Sequence, residues 1–127
     1  MKVRLAAFAI AGFMATAANA DTWGMVEDES SFQPIRDRDQ FVQIVSQGTL
    51  SRFGIKLTVE PDGRIDGRAF GAKVRGAWNW QDGFFCRDLF WGQRDLGANC
   101  QEVKVSGDTL RFTSDQGTGQ YADLRLQ

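Results

Sequence analysis

The sequence predicts a mainly β fold: an antiparallel meander curled into a small barrel or a strongly bent sheet, with one N-terminal α-helix. Three observations carry that expectation. Apolar residues recur at helical spacing once, shortly after Asp37. From Ser51 onward they alternate with a period of two. Turns containing glycine then arrive at intervals of ~ten residues, the spacing of a meander rather than of βαβ units.

Residues 21–34 hold Trp23, Met25 and Phe32 among acidic and small polar residues without a period. They are expected to be an extended lead-in to one β-rich domain at 35–127. Asp37 is a good N-cap, because its carboxylate can accept from the orphan N–H groups of a first helical turn. Gln40, three residues on, completes a capping box. Phe41, Ile44 and Val45 share one face and Gly48 offers a stop, so a short helix is expected at about 37–47, packed on the sheet.

Beyond it, Ile55, Leu57 and Val59 alternate with Lys56, Thr58 and Glu60 as in a strand with one buried face. Pro61-Asp62-Gly63 is a turn, proline pre-setting φ at the first corner and glycine accepting the positive φ that closes it. Strands are expected next at 65–70, 72–80, 84–91, 99–105, 109–113 and 121–126, roughly six or seven in all. Turns at Gly71, 81–83, Gly92, 106–108 and 115–119 separate them. A flat sheet of such strands would leave two adhesive edges, and curling removes them. Gly63, Gly67, Gly71 and Gly76 share no flanking pattern. They mark sharp curvature or close packing rather than an internal repeat.

Residues 1–20 have the layout of a secretory signal peptide. Lys2 and Arg4 give a positive start, residues 5–18 are almost wholly apolar, and Ala18-Asn19-Ala20 offers a small-x-small cleavage pattern. The apolar run falls short of the ~20 residues of a membrane span, so cleavage before Asp21 is expected rather than an anchor, and no membrane span should remain after it. Of the fifteen basic residues, Lys2 and Arg4 would be lost, leaving thirteen against sixteen acidic ones, a net charge of −3. That balance disfavours nucleic acid as a partner. Cys86 and Cys100 are the two cysteines of the chain, and in a periplasmic or secreted protein they are expected to form one structural disulfide. A redox pair would be separated by two residues, not thirteen.

The absence of histidine from the sequence removes Ser-His and Cys-His nucleophilic catalysis and histidine metal sites. Gly117-Thr118-Gly119-Gln120-Tyr121-Ala122 fits G-x-G-x-x-A, but the residues after it alternate as a strand, where a dinucleotide site requires a helix. A hairpin turn is expected there, and no cofactor or metal. Most carboxylates sit beside glycine in turns, as aspartate does for structural reasons; two brought together on a barrel would be needed for glycosidase chemistry. Asp88 is the exception, inside a strand with Arg87 on the opposite face.

Aromatic residues crowd the same region. Trp78 and Trp80 share one strand face, and Phe84, Phe85, Phe90 and Trp91 fall on both faces of the next strand. Strict alternation cannot bury them all. Phe85, Arg87, Leu89 and Trp91 are expected inward with Val103 and Val105, and Arg87 then requires a carboxylate partner. Phe84, Cys86, Asp88 and Phe90 are expected outward. The candidate binding patch is therefore Phe84, Asp88 and Phe90, extended by Trp78, Trp80 and Arg87; no catalytic residue is assigned.

The segments Gly48-Thr49-Leu50, Phe53-Gly54-Ile55, Asp62-Gly63-Arg64-Ile65, Gly76-Ala77-Trp78-Asn79-Trp80 and Asp82-Gly83-Phe84-Phe85-Cys86-Arg87, continuing to Cys100, resemble a group of small exported alphaproteobacterial proteins. Its members often carry the name dihydrodipicolinate reductase. The resemblance covers nearly the whole chain after residue 20, and the name implies a reductase. That enzyme class is recognised by a nucleotide-binding βαβ opening and a histidine-containing motif. Neither occurs here, so no catalytic residue is carried over. Size, leader, disulfide and meander also resemble periplasmic protease-inhibitor barrels, an analogy of architecture alone.

The expected function is thus that of a non-enzymatic periplasmic or secreted barrel binding an envelope protein or a small apolar ligand. The alternatives are a reductase, and a protease inhibitor whose lead-in at 21–32 enters a target cleft.

Overall fold

A computed structural model describes residues 31–127; the expected signal peptide and residues 21–30 of the lead-in lie outside the described residues. The chain runs β1 (Gln33–Pro34), α1 (Arg38–Val45), β2 (Leu50–Arg52), β3 (Ile55–Val59), β4 (Arg64–Ala69), β5 (Ala72–Gln81), β6 (Phe84–Trp91), β7 (Arg94–Ser106), β8 (Thr109–Thr113), α2 (Ser114–Gly117) and β9 (Tyr121–Leu126). Each strand from β2 to β9 pairs antiparallel with its successor, and β9 returns to β2 through Leu50↔Leu126 and Ser51↔Arg125. The result is a closed, eight-stranded, up-and-down barrel. Closure leaves no free edge strand among β2–β9, though the first half of β7 is paired on its β6 side alone.

The expected meander is a closed barrel, then, and it has a strand more than the alternation showed. β2 is only three residues long, joined to β3 by the tight Phe53-Gly54 turn, too short to display a period. β7 is longer than expected because it serves three neighbours. Its first half pairs with β6, and its second half pairs with β8 on one edge and β1 on the other. The last residues of the lead-in therefore belong to the barrel, with Phe32 and Ile35 buried.

Helix α1 begins at the expected N-cap, with the return bond of the capping box shifted by one residue to Arg36. The Asp37 carboxylate accepts from the Gln40 N–H at 2.9 Å, while the Gln40 side-chain oxygen accepts from the Arg36 N–H at 3.3 Å. Gly48 has another role than the expected helix stop. A Cβ there would collide with the Gln127 carbonyl, so glycine admits the C-terminal residue to the seam where Thr49 and Gln127 exchange hydrogen bonds of 3.0 and 2.9 Å. Helix α1 lies at the barrel end formed by the β3–β4, β5–β6 and β7–β8 turns, with Arg38 donating to the Pro61 carbonyl at 2.6 Å. Its Phe41 is fully buried among Trp78, Trp80, Phe85 and Phe112, with ring centroids 5.3, 5.1, 5.0 and 6.4 Å away. That end is plugged.

Candidate functional site

The opposite end carries only the four-residue α2, in which Asp115 and Gln116 have left-handed φ of 56 and 55. It is formed by the β2–β3, β4–β5 and β6–β7 turns and by the loop containing α2. Two adjoining cavities open there. The larger, about 340 Å³, runs between Val59, Ile65, Phe85, Phe112 and Leu124 toward Ser114 and Gln120. The smaller, about 210 Å³, is lined wholly by apolar residues, including Ile55, Ala69, Val74 and Trp91. Leu57 and Leu89 line both and so lie between them.

Backbone packing explains why these leucines stand where they do. Leu57 pairs with Gly67 and Leu89 with Gly76. A Cβ on Gly67 would run into the Lys56 carbonyl, and one on Gly76 into the Asp88 carbonyl and the Leu89 side chain. Neighbouring strands thus approach closely where the wall bends.

Polar groups in the larger cavity are few. Gln101 is buried, its amide donating to Ser114 Oγ at 3.3 Å. Arg87 is the one charged residue of the lining. Its Nη1 donates to the Gly97 carbonyl at 2.9 Å, and among the described residues it has no ion pair. The expected carboxylate partner is absent among the described residues: Asp88 points to the other face, and the Gly97 carbonyl accepts in its place. Burial pushes the Arg87 guanidinium below its ordinary pKa, partly countered by the Asp88 charge. The remaining donors of the fork have no acceptor among the described residues. The loop over the mouth is pinned by Asn99 and Asp115, which exchange two hydrogen bonds of 2.9 Å.

The structure does not bring the six expected patch residues together. Phe85, Arg87, Leu89 and Trp91 face inward and Phe84, Cys86, Asp88 and Phe90 outward, as the alternation predicts. Trp78 and Trp80, however, face inward and belong to the plug. Their indole N–H groups donate to the Glu60 and Arg36 carbonyls at 2.8 and 3.3 Å. Of the outward set, Phe90 lies under the Arg75 guanidinium, 4.9 Å from its ring centroid, and Asp88 is exposed. Cys86 and Cys100 pair directly across the ladder and form the disulfide.

Sequence reasoning missed the rim. Phe53, Phe70 and Leu96 are 91 %, 62 % and 47 % exposed; the first two stand on turns of the open end and Leu96 lies near the start of β7 beside them. The available signal was chemical: Phe53-Gly54 and Phe70-Gly71 put phenylalanine at hairpin turns that ordinarily carry polar residues. The G-x-G-x-x-A match falls in the β8–β9 loop, with strand β9 where a dinucleotide site would start its helix. Among the described residues no group of three or more acidic or cysteine side chains is placed to hold a metal ion, and no helix is long and apolar enough to cross a membrane.

No family model, no curated protein and no solved structure matches the chain.

Proposed function

We propose that this chain is an exported, non-enzymatic binding protein whose barrel mouth takes the apolar tail of a small amphiphile while Arg87 receives its anionic head. One observation carries the reading: an apolar cavity of ligand size has a single charged residue in its wall, and that guanidinium keeps donors without an acceptor among the described residues. Holding a half-buried charge without an ion partner is costly, so its retention is explained by a ligand that pairs with it. The Cys86–Cys100 disulfide supports export, since such bonds persist in oxidising compartments.

The test is a titration with 1-anilinonaphthalene-8-sulfonate, an apolar anion, followed by displacement with decanoate. Saturable binding and displacement are expected, and Ala122→Phe, which puts a ring into the larger cavity, should abolish both while the fold persists. Binding that Ala122→Phe leaves intact would place the probe elsewhere and refute the reading. A parallel titration with NADPH separates the reductase alternative, for which submillimolar affinity would be required.

A further inference from the structure

We propose that the open rim docks on an anionic lipid surface, its three apolar tips entering the bilayer interface and a collar of basic residues meeting the lipid phosphates. The inference stands on the rim alone and does not require a ligand in the cavity.

The tips are held out by their backbones. Phe53 is the first residue of the β2–β3 turn and the most exposed of the large apolar side chains among the described residues. Phe70 occupies a left-handed position, φ 48, followed by Gly71 at φ 85. The same left-handed pair recurs at the plugged end as Asp82-Gly83, with φ of 51 and 85. There the first position carries aspartate, a residue that tolerates this region. At the open end it carries a bulky aromatic, for which the region is strained, and the ring remains mostly in water. Leu96 has no partner across the ladder, because Leu89 pairs with Gly97 and Phe90 with Asp95. It is the extra residue of a β-bulge, a device that re-aims side chains. Turn, strained φ and bulge thus each present an apolar group at one end of the barrel.

The charge around those tips is mainly positive, with Asp95 and, on the α2 loop, Asp115 as the acidic residues. Lys56, Arg68 and Lys73 form a row across three adjacent strands through the pairs Lys56↔Arg68 and Arg68↔Lys73. Arg52 precedes Phe53, and Arg94 follows the β6–β7 turn. All five are exposed, and none has an ion pair among the described residues. Asp95 is the sole acidic residue on these strand ends, and its carboxylate is engaged with the Gly97 N–H at 2.8 Å. The plugged end differs: its turns carry Asp62, Asp82 and Asp108, with Arg64 and Arg125 paired to aspartates. A net-acidic protein has therefore gathered unpaired cations around exposed apolar tips. That combination suits anionic headgroups over hydrocarbon better than a protein partner, whose interface core is depleted of lysine.

Sedimentation with vesicles tests this. The exported protein is compared with rim variants sharing its N-terminus, on phosphatidylcholine alone and with about one-third phosphatidylglycerol. The wild type should sediment with the anionic vesicles and release in high salt. Phe53→Ser/Phe70→Ser should lower partitioning at least about tenfold, the loss expected when phenyl rings forfeit burial. Each of Arg68→Gln, Lys73→Gln and Arg94→Gln should lower it about fivefold. Equal sedimentation of the double variant, or no wild-type sedimentation on anionic vesicles, overturns the proposal. So does a dimer dispersed by the double variant, which would assign the rim to a second copy. If the variants misfold, quenching of tryptophan fluorescence in the wild type by lipids brominated along the acyl chain decides. Trp91, beside the rim, should supply the quenched signal, and its absence refutes docking in this orientation. Ala122→Phe should leave sedimentation unchanged, so loss of probe binding with vesicle binding intact removes only the ligand reading.

Discussion

Replacing Arg87 by methionine keeps an unbranched, apolar stem in the barrel wall and removes the guanidinium. Two terms then oppose each other. The hydrogen bond to the Gly97 carbonyl is lost, and a bond from a charged donor contributes about 1.5–3 kcal/mol. Against that, a half-buried ion with no carboxylate partner among the described residues no longer has to be held away from water, a penalty of about several kcal/mol for a fully buried ion and only part of that where solvent still screens the group. The two terms nearly cancel, so stability should hold to within about 1 kcal/mol. For a domain of this size, that is a melting temperature changed by no more than ~8 °C. Binding should fall instead. Losing a charge-assisted contact to an anionic head weakens affinity by about 1.5–3 kcal/mol, roughly tenfold to a hundredfold. Thermal unfolding by circular dichroism and the naphthalenesulfonate titration on the same sample read both quantities. Arg87→Lys, which keeps the charge but loses the planar fork, should fall between. A loss of stability beyond about 2 kcal/mol would show that Arg87 is structural, and unchanged affinity would show that no head group sits beside it.

Phe41→Ala should cost about 3–5 kcal/mol in urea denaturation, because it empties the centre of the plug; a smaller loss would mean that the helix is an accessory. Gly76→Ala should cost about 1–3 kcal/mol or more, since the obstruction is the Asp88 backbone rather than a movable side chain, and amide exchange should rise along β5 and β6. Phe70→Asn should stabilise the fold by about 1 kcal/mol, asparagine being at ease where phenylalanine is strained, while vesicle sedimentation falls. Asp62 accepts from the Arg64 N–H and guanidinium at 3.1 Å each, which holds its pKa below the ordinary 3.8. Its contribution is therefore fully present above that value and lost as pH falls through the depressed one; Asp62→Asn should flatten this limb of the stability-pH curve.

Local signals were legible in the sequence, and long-range ones were not. The cap at Asp37, the inward series Phe85-Arg87-Leu89-Trp91 and the facing cysteines follow from periods of 3.6 and 2 and from one hairpin. The three-residue β2 shows no period, and the β9–β2 seam joins positions far apart in the chain. For the same reason Gly48 reads as a helix stop, although the Gln127 carbonyl is what excludes a side chain there. The acceptor of Arg87 is hidden for a related reason: alternation gives the face of a side chain, not the backbone carbonyl that it meets there.

The aromatic cluster shows how such a reading shifts by the length of a barrel. Phe41, Trp78, Trp80, Phe85 and Phe112 converge on each other, and a small barrel stacked with rings at one level has no room there for a ligand. Toward the other end the large inward residues Leu57, Leu89 and Trp91 are interspersed with Gly67, Ala69, Val74, Gly76 and Ala122, small side chains on the same strands or their neighbours. Eight strands enclose much the same cross-section at both levels, so small residues leave volume where large ones fill it. The cavities at the open end are that difference. Aromatics mark the end that is closed for stability. Glycine and alanine, which offer no chemistry of their own, mark the end where the cavities open.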